Sequence, residues 1–333
     1  RQRLSPLMRS REFVCHLQSF TTPDSQIPQA RSRTVLSSTS KVSVMNQILN
    51  RHGFKIIKSP SVDDFGRSHA IASDSKGHKY FVKATEVKNA YSYNSLLAES
   101  HITDYLSKLV RFQKIEHKGY RLLIPQVKKI IIQEGMVCLV TNHIQGQRLL
   151  DQSPATQAKL LSVTLDLVSK LSELVNLDVI KSYSKNYSLF YFLSRAPLQL
   201  AKAIFISPQD TFDLIQIFLK ALLVAPGPIG LVHADINASN IWINGKNLYL
   251  TDWEEAGWGL ADYNTVGPLS VHWNILEIKI KLFAKSLLPL LAFRTLVLFS
   301  QRLELTDSRR QRDHALLGEV ILGNFGNISV GKK

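Results

Sequence analysis

The chain has 333 residues, of which 45% are hydrophobic and 20% charged, and this composition is that of a globular protein able to bury a large core or two lobes. Its two cysteines, Cys15 and Cys138, lack metal-site spacing and cannot build a disulfide framework, so we expect a reducing cytoplasmic location. The formal net charge of +15 suggests nucleic acid, but residues 146–333 hold 19 basic against 16 acidic residues. Because the excess lies outside that half, nucleic acid is not the predicted partner.

Residues 1–44 are predicted to be a disordered or non-native N-terminal extension. They are rich in Ser, Arg and Gln, contain Pro23 and Pro28, and show no sustained periodicity. Two origins stay open: translated upstream sequence, or an organelle presequence, which is also Arg-rich and acid-poor. A folded domain is predicted to start at Met45.

Residues 45–145 predict a compact lobe of five antiparallel strands with one helix. Apolar residues recur at three- and four-residue steps from Leu96 to Leu109, and this spacing predicts an amphipathic helix after the third strand. Ser, Asp and Gly clusters separate the β-type runs. The predicted strands are Phe54–Ile57, His69–Ala72, Lys79–Ala84, Val127–Ile132 and Met136–Thr141.

Residues 146–333 predict a mainly helical lobe that contains one hairpin. Asn244-Gly245 is a favourable two-residue turn between strands 241–243 and 248–250. The most apolar run, 286–300, contains Pro289 and Arg294 and is too short to span a bilayer, so no membrane span is predicted. Helices are predicted at 160–174, at 187–205, from Ser207-Pro208 onward, and at about 270–320.

Three polar residues flank the predicted hairpin in a pattern suited to phosphoryl transfer. Asp235 precedes Asn240 by five residues, and Asp252 lies just beyond the hairpin. Transfer from a nucleotide needs a carboxylate to orient the acceptor hydroxyl and two oxygen ligands for Mg²⁺. We therefore predict that Asp235 is the catalytic base and that Asn240 and Asp252 are metal ligands. A single Asp or Asn in a loop is usually turn chemistry, so the prediction depends on all three together.

The run from His233 to Asp262 resembles the aminoglycoside phosphotransferase / choline kinase family of protein-kinase-like enzymes. That family's pattern is H-G-D-x-x-x-x-N, then I-D-W/F-E and a later Asp, and the order of the lobes extends the likeness over about residues 50–300. The resemblance implies an α+β, protein-kinase-like two-lobe fold that uses ATP and Mg²⁺. It also implies that His233 supports the catalytic loop with Asp262 as its partner, although Asp262 could equally cap a helix. The chain departs from the pattern at Ala234, where Gly is usual, and this puts the backbone angle of the loop in question.

The resemblance assigns nucleotide-binding roles in the N-terminal lobe. Lys83 lies inside an apolar run, and a buried lysine needs a counter-charge, for which Glu99 on the helix is the natural candidate. In kinases such a Lys–Glu pair positions the phosphates. The connection between the lobes, Thr141, Asn142, His143 and Ile144, would contact the base through its backbone, so adenine and guanine both stay open.

The segment expected to cover the phosphates departs from a glycine-rich loop. Residues 59–68 hold one glycine, and Asp63 and Asp64 would repel a triphosphate unless they point outward. A non-catalytic pseudokinase, acting as a nucleotide-binding or regulatory module, therefore stays open as the alternative to a kinase.

The predicted acceptor is a small hydroxylated molecule. Little room for an activation segment follows Asp252, and no A-P-E sequence is present, so a protein substrate is disfavoured. Trp253, Glu254 and Glu255 are the candidate acceptor pocket, with core packing as the other reading of the aromatic residues. The near-neutral C-terminal half does not favour a polycationic acceptor.

Overall fold

The computed structural model describes residues 38–63, 66–206, 208–221 and 227–272, together with Arg294 and Gly318. The chain divides into two units, Arg1–Ser37 and Ser38–Lys333, and all described residues belong to the second. The elements up to the connection between the lobes are α1 (Ser38–Arg51), β1 (Lys55–Val62), β2 (Ser68–Ser73), β3 (Lys79–Glu86), α2 (Ala90–Gln113), β4 (Glu116–His117), β5 (Tyr120–Leu123), β6 (Val127–Gln133) and β7 (Met136–Asn142).

The elements after the connection are mostly helical. They are β8 (Gln147–Arg148), α3 (Pro154–Leu174), α4 (Leu177–Lys181), β9 (Lys185–Tyr187), α5 (Leu189–Ile206), α6 (Pro208–Ala221), β10 (Ile229–Val232), β11 (Ile241–Asn244), β12 (Asn247–Leu250), β13 (Gly257–Leu260) and α7 (Tyr263–His272). The helices predicted at 160–174 and 187–205 correspond to α3 and α5, and α6 begins at the predicted proline. The segment predicted to be helical from 273 to 320 lies outside the described residues, apart from Arg294 and Gly318.

The N-lobe sheet has the strand order β1-β2-β3-β7-β6, with every neighbouring pair antiparallel. The predicted five-stranded sheet, with one helix after its third strand, is confirmed. Along β3, Tyr80, Val82 and Ala84 are buried in the core shared with α1, because successive side chains of a strand point to opposite faces. The alternate residues, Phe81 and Lys83, therefore face the helix α2 and the C-lobe.

The first helix corrects the predicted start of the folded chain. Helix α1 begins at Ser38, so residues 38–44 are helical and do not belong to the predicted extension. Met45, Ile48 and Leu49 are fully buried against the sheet, and a helix nucleated by such packing extends at little further cost. Lys41 also pairs with Glu86 at 3.1 Å. The rest of the predicted extension, residues 1–37, lies outside the described residues.

A second five-stranded sheet, with the order β4-β5-β12-β11-β8, was not predicted. It joins residues 116–123, which were assigned to the N-lobe, to the C-lobe hairpin through a parallel β5–β12 pair. Helix α2 has 24 residues, and its C-terminal half packs into the C-lobe core. The predicted boundary at residue 145 therefore does not separate two independent cores, because one long helix contributes to both.

The predicted hairpin is present, but its turn is shifted by one residue. Asn244 pairs with Asn247, so Gly245 and Lys246 are the central residues of the turn. Gly245 has φ 58°, as a turn with a positive angle at its first central position requires. None of the described helices has the length and apolar character needed to cross a membrane.

Candidate active site

The loop between β10 and β11 carries the predicted catalytic base. Asp235 Oδ1 accepts a hydrogen bond from Asn237 Nδ2 at 3.0 Å, and Oδ2 accepts one from Asn240 Nδ2 at 2.9 Å. Asn240 Nδ2 also donates to the Asp235 carbonyl oxygen at 3.0 Å. Both carboxylate oxygens are thus held by neutral amide donors. Asn237 was not among the predicted site residues, although it lies only two residues after Asp235.

The environment of Asp235 makes its carboxylate a better base. Burial raises its pKa, and the negative charge of Asp252 raises it further, while the hydrogen bonds from Asn237 and Asn240 act in the opposite direction. A carboxylate with a raised pKa accepts a proton more readily. Asp235 can therefore orient a hydroxyl and accept its proton.

His233 fixes the backbone beneath the catalytic loop. Its ring is fully buried; Nε2–H donates to the Thr251 carbonyl at 3.0 Å, and Nδ1 accepts the Asp235 N–H at 3.3 Å. The ring also packs on Trp253, with centroids 4.4 Å apart. Burial lowers the pKa of His233 to about 4, so the ring is neutral at neutral pH. Its contacts join the loop of Asp235 to the segment that leads into Asp252.

Asn264, and not Asp262, is the hydrogen-bonding partner of His233. Asn264 Oδ1 accepts the His233 backbone N–H at 2.7 Å, and Nδ2 donates to the Leu231 carbonyl at 2.7 Å. Within the described residues Asp262 makes no hydrogen bond to His233; it immediately precedes α7, with its carboxylate against Gly227. A buried position that must both donate and accept favours a neutral amide over a carboxylate, so the pairing implied by the resemblance is wrong.

The N-lobe wall of the site is built from a buried charge cluster. Lys83 Nζ lies 2.8 Å from Glu99 Oε1 and 2.6 Å from Asp252 Oδ1, so it connects β3, α2 and the segment after β12. Burial alone would lower the pKa of Lys83, but the carboxylates of Glu99 and Asp252 outweigh it and raise the pKa. Lys83 therefore remains an ammonium ion inside the cleft.

The two carboxylates beside Lys83 respond differently to it. Burial raises the pKa of Glu99, while Lys83 overcomes the effect of burial on Asp252 and lowers its pKa. Oxygens of Glu99, Asp252 and Glu254 lie within 4.8 Å of one another. Such concentrated negative charge favours a divalent cation nearby.

Asn240 and Asp252 fit the predicted magnesium site chemically. The side-chain nitrogen of Asn240 donates to Asp235, so the side-chain oxygen of Asn240 is the atom able to bind a metal. Asp252 contacts Lys83 through Oδ1, and its other carboxylate oxygen can serve as the second metal ligand. Amide and carboxylate oxygens are ligands that Mg²⁺ accepts. Asp252 also has φ 66°, a left-handed conformation that is uncommon outside glycine and is typical of functional positions.

A cavity of about 630 Å³ lies between the lobes, within the size range of small-molecule sites. Lys83, Glu99, Asn240 and Asp252 line it, and so do all four predicted residues of the connection: Thr141, Asn142, His143 and Ile144. The Asn142 and His143 backbone N–H groups already donate to Gln126 and Lys79, at 2.9 and 3.1 Å. A base would therefore have to use other backbone groups of the connection.

The segment over the cleft is a hairpin closed by ion pairs. The Asp63 carboxylate accepts from the Arg67 backbone N–H at 2.9 Å and from Arg67 Nε at 2.7 Å, and Arg67 Nη1 forms an ion pair with Glu254. Asp63 therefore faces the guanidinium group of Arg67. The positive charge of that group compensates the repulsion that was expected between Asp63 and a triphosphate. Asp64 lies outside the described residues.

Within the described residues, the side chains of the predicted acceptor pocket, Trp253, Glu254 and Glu255, already have protein partners, although Trp253 also lines the cavity between the lobes. Trp253 is buried and donates from Nε1 to the Leu250 carbonyl at 3.1 Å, and Glu254 binds Arg67. Glu255 accepts from Tyr91 Oη at 3.2 Å and pairs with Lys185. These side chains are engaged in core packing or in contacts between the lobes, because the short segment after Asp252 passes directly beneath α2.

The solved structures that are similar in fold include small-molecule phosphotransferases. A thermostable mutant of aminoglycoside phosphotransferase APH(4)-Ia, in complex with ADP and hygromycin B, has a TM-score of 0.54 at 14% identity over 88% of this chain and 100% of that one. Macrolide 2'-phosphotransferase type I has 0.52 at 11% identity, over 84% and 97% of the two chains. An amicoumacin kinase in complex with AMP-PNP, Ca²⁺ and Ami has 0.52 at 13% identity, over 86% and 93%.

No protein-family model and no curated protein matches the chain. At these low identities the structural likeness shows the fold. The predicted α+β, protein-kinase-like two-lobe class is confirmed, and so is the predicted resemblance to the aminoglycoside phosphotransferase group at the level of fold.

Proposed function

We propose that this protein is an ATP-dependent phosphotransferase that moves the γ-phosphoryl group to a hydroxyl of a small molecule. The observation that carries the proposal is that Lys83, Asn240 and Asp252 line one cleft and that Asp235 is hydrogen-bonded to Asn240 beside it. Lys83 Nζ lies 2.6 Å from Asp252, and Asp235 is held by Asn240 at 2.9 Å. The complexes of similar structures with ADP and AMP-PNP support a nucleotide as the donor.

Each residue has a distinct role in this proposal. Lys83, oriented by Glu99, binds phosphate oxygens of the nucleotide, and the connection between the lobes holds the base. Asn240 and Asp252 would hold Mg²⁺, which supplies neutralisation of phosphate charge. Asp235 orients the acceptor hydroxyl and takes its proton. A new oxygen–phosphorus bond forms to the acceptor, the bond between the γ-phosphorus and the β–γ bridging oxygen breaks, and ADP leaves.

The alternative is a nucleotide-binding module without transferase activity. The ion pair between Arg67 and Glu254 favours this alternative. The pair connects the hairpin above the cleft to the C-lobe and so restricts the opening and closing that such a segment undergoes during turnover. Retention of Lys83, Asn240 and Asp252 favours the enzyme.

The proposal is tested with purified protein, Mg²⁺ and ATP against a panel of hydroxylated metabolites, with ADP release as the measurement. We expect at least one acceptor to increase ADP release, and Asp235→Asn to reduce turnover by about 10²- to 10⁴-fold, the usual effect of a general base. Asp104→Asn on the exposed face of α2 is the matched control and should retain wild-type turnover.

Thermal unfolding with and without Mg·ATP separates the two candidate functions. Nucleotide binding raises the unfolding midpoint by mass action whether or not transfer follows. A midpoint shift with normal turnover in Asp235→Asn would refute the role of Asp235, and a midpoint unchanged by millimolar Mg·ATP would refute nucleotide binding itself.

A further inference from the structure

Helix α2 is attached to the C-lobe at both ends, and the attachment at its N-terminal end has no assigned role. Its C-terminal half lies in the C-lobe core through apolar residues such as Ile102 and Val110. Its N-terminal end contacts the short 3₁₀-helix that follows Asp252, where the Tyr91 hydroxyl donates to Glu255 Oε1 at 3.2 Å. This second attachment is polar.

Three side chains from three elements meet at the N-terminal end of α2. Lys185 on β9 forms an ion pair with Glu255, and its ammonium group lies 5.6 Å from the centre of the Tyr91 ring. An ammonium group at that distance from an aromatic face is attracted to it. Each member therefore contacts the other two, and we call Tyr91, Lys185 and Glu255 the α2 anchor.

Glu255 is the fixed point of the α2 anchor. Its backbone carbonyl accepts a hydrogen bond from the hydroxyl of the buried residue Tyr187 at 2.7 Å. The Ala256 N–H closes the turn by donating to the Trp253 carbonyl at 3.0 Å. Because the backbone of Glu255 is held in this way, its carboxylate has a defined position for the Tyr91 hydroxyl.

The α2 anchor and the charge cluster of the cleft join the same two segments of the chain. In the cleft, Lys83 binds Glu99 of α2 at 2.8 Å and Asp252 at 2.6 Å. The anchor joins the same helix, about 12 Å nearer its N-terminus at 1.5 Å per residue, to Glu255 at the end of the turn that Asp252 starts. The orientation of α2 relative to Asp252 is thus set at two separate points.

Loss of the anchor would leave Glu99 less well placed. A helix held only at its C-terminal half can tilt about that half, and such a tilt moves Glu99 relative to the strand that carries Lys83. Leu96 packs on the sheet, but apolar contacts are not directional and do not fix the rotation of the helix. The hydrogen bonds from Lys83 to Glu99, at 2.8 and 3.0 Å, are sensitive to such movements.

We propose that Tyr91, Lys185 and Glu255 are positioning residues that hold α2 in the orientation in which Glu99 keeps Lys83 ready for the phosphates of the nucleotide. The inference rests on the proposed function, because it requires that Lys83 binds phosphate. Among the described residues that line the cavity between the lobes, none belongs to the α2 anchor. The anchor therefore acts through Glu99, and its effect should be specific for ligands that carry phosphate.

The test compares the binding of Mg·ATP and adenosine to the full chain by calorimetry. Glu255→Leu removes the carboxylate, and Tyr91→Phe removes only the hydroxyl. We expect Glu255→Leu to weaken Mg·ATP about fivefold and Tyr91→Phe about threefold, factors typical of one exposed hydrogen bond, with adenosine binding unchanged. The double variant should bind no more weakly than Glu255→Leu, because both changes remove the same contact.

A conservative variant separates the hydrogen bond from the charge of the carboxylate. Glu255→Gln keeps an oxygen that can accept from the Tyr91 hydroxyl and from Lys185, and an exposed ion pair contributes little by its charge alone. This variant should stay within about twofold of wild type for both ligands.

Tyr105→Phe is the matched control on the same helix. The Tyr105 hydroxyl accepts a hydrogen bond from the Asn176 backbone N–H at 2.9 Å and so attaches the C-terminal half of α2 to the C-lobe. This variant should lower the unfolding midpoint but leave Mg·ATP affinity unchanged. In hydrogen–deuterium exchange without ligand, residues 94–99 should exchange faster in Tyr91→Phe and Glu255→Leu but not in the control.

Three results would overturn the inference. Wild-type affinity of Glu255→Leu for Mg·ATP would show that the α2 anchor does not position Glu99. An equal loss for Mg·ATP and adenosine, or the same loss in Tyr105→Phe, would show a general effect on the fold. If wild type binds neither ligand, the proposed function fails together with the inference; binding by wild type with unchanged affinity in Glu255→Leu rejects the inference alone.

Discussion

The two walls of the cleft hold their functional groups in different ways. On the N-lobe wall, Lys83 and Glu99 belong to a regular strand and helix and are held by opposite charge at 2.8 Å. On the C-lobe wall, Asp235 lies in irregular backbone and is held by neutral amides and by the buried ring of His233. The first wall depends on charge compensation and the second on hydrogen-bond geometry. Substitutions on the two walls should therefore fail in different ways.

The largest expected effect comes from removing the cation of the N-lobe wall. Lys83→Met leaves Glu99 and Asp252 without their common partner, and breaking a buried pair in this way typically costs about 3–5 kcal/mol. We expect a loss of this size in the free energy of urea-induced unfolding, together with loss of Mg·ATP binding. Adding Glu99→Leu should recover part of the stability but not the binding. Equal stability of Lys83→Met and wild type would contradict charge compensation.

The buried neutral ring of His233 on the C-lobe wall should make the free energy of unfolding depend on pH. The pKa of His233 is about 4 in the folded protein, against an ordinary value of 6.5 for histidine. Between pH 4 and pH 6.5, His233 is protonated in the unfolded chain and neutral in the folded protein. The stability that the neutral ring contributes is therefore complete above pH 6.5 and is lost as the pH falls toward 4. The loss is about 3 kcal/mol.

Unfolding free energies of wild type and His233→Gln, measured from pH 7 to pH 4, isolate this contribution. The variant should start less stable, because its ring hydrogen bonds are changed, but should lose less stability as the pH falls. Parallel curves for the two proteins would mean that His233 is not a buried neutral ring.

A smaller effect is expected for the ion pair that connects the walls. Arg67 and Glu254 join the hairpin to the segment after Asp252, and both side chains are largely buried. A double-mutant cycle with Arg67→Met and Glu254→Gln should give a coupling energy of about 1–2 kcal/mol. The same cycle with the exposed pair Lys108 and Asp104 is the control and should give about 0.5 kcal/mol or less. Equal coupling energies would mean that the pair does not hold the lobes together.

The smallest expected effect concerns the backbone of the catalytic loop. Ala234 has φ 65°, which costs an alanine about 1 kcal/mol relative to glycine. The greater freedom of glycine in the unfolded chain offsets about half of this. Ala234→Gly should therefore raise the free energy of unfolding by about 0.5 kcal/mol. By the same reasoning Gly245→Ala, at φ 58° in open space, should lower it by about 0.5 kcal/mol, and loss of stability in both variants would argue against strain at Ala234.

The N-lobe was predictable because local pattern and tertiary role agree there. The apolar run around Lys83 indicated a lysine inside a buried strand, and helical spacing placed Glu99 on α2. Strands β4 and β5 were missed because they have two and four residues, too few for a periodic signal. The start of α1 was missed because it depends on burial of Met45 and Ile48 against a sheet that forms later in the chain.

The site residues that sequence reasoning missed act through contacts distant along the chain. Arg67 reaches Glu254, and Asn264 reaches the backbone of His233 and Leu231. A loop arginine and a helix asparagine carry no local sign of such roles. For the aromatic and acidic cluster after Asp252, an acceptor pocket and core packing both stayed open, since composition does not show which side chains already have partners.

The sequence by itself determined the five strands and the helix α2 of the N-lobe and the residue types that suit phosphoryl transfer, because periodicity and motif spacing are local properties of the chain. Only the tertiary structure decided that Asn264 supports His233, that Glu254 binds Arg67, and that His69 lies beside Lys83. Those outcomes depend on which surfaces meet when the lobes pack.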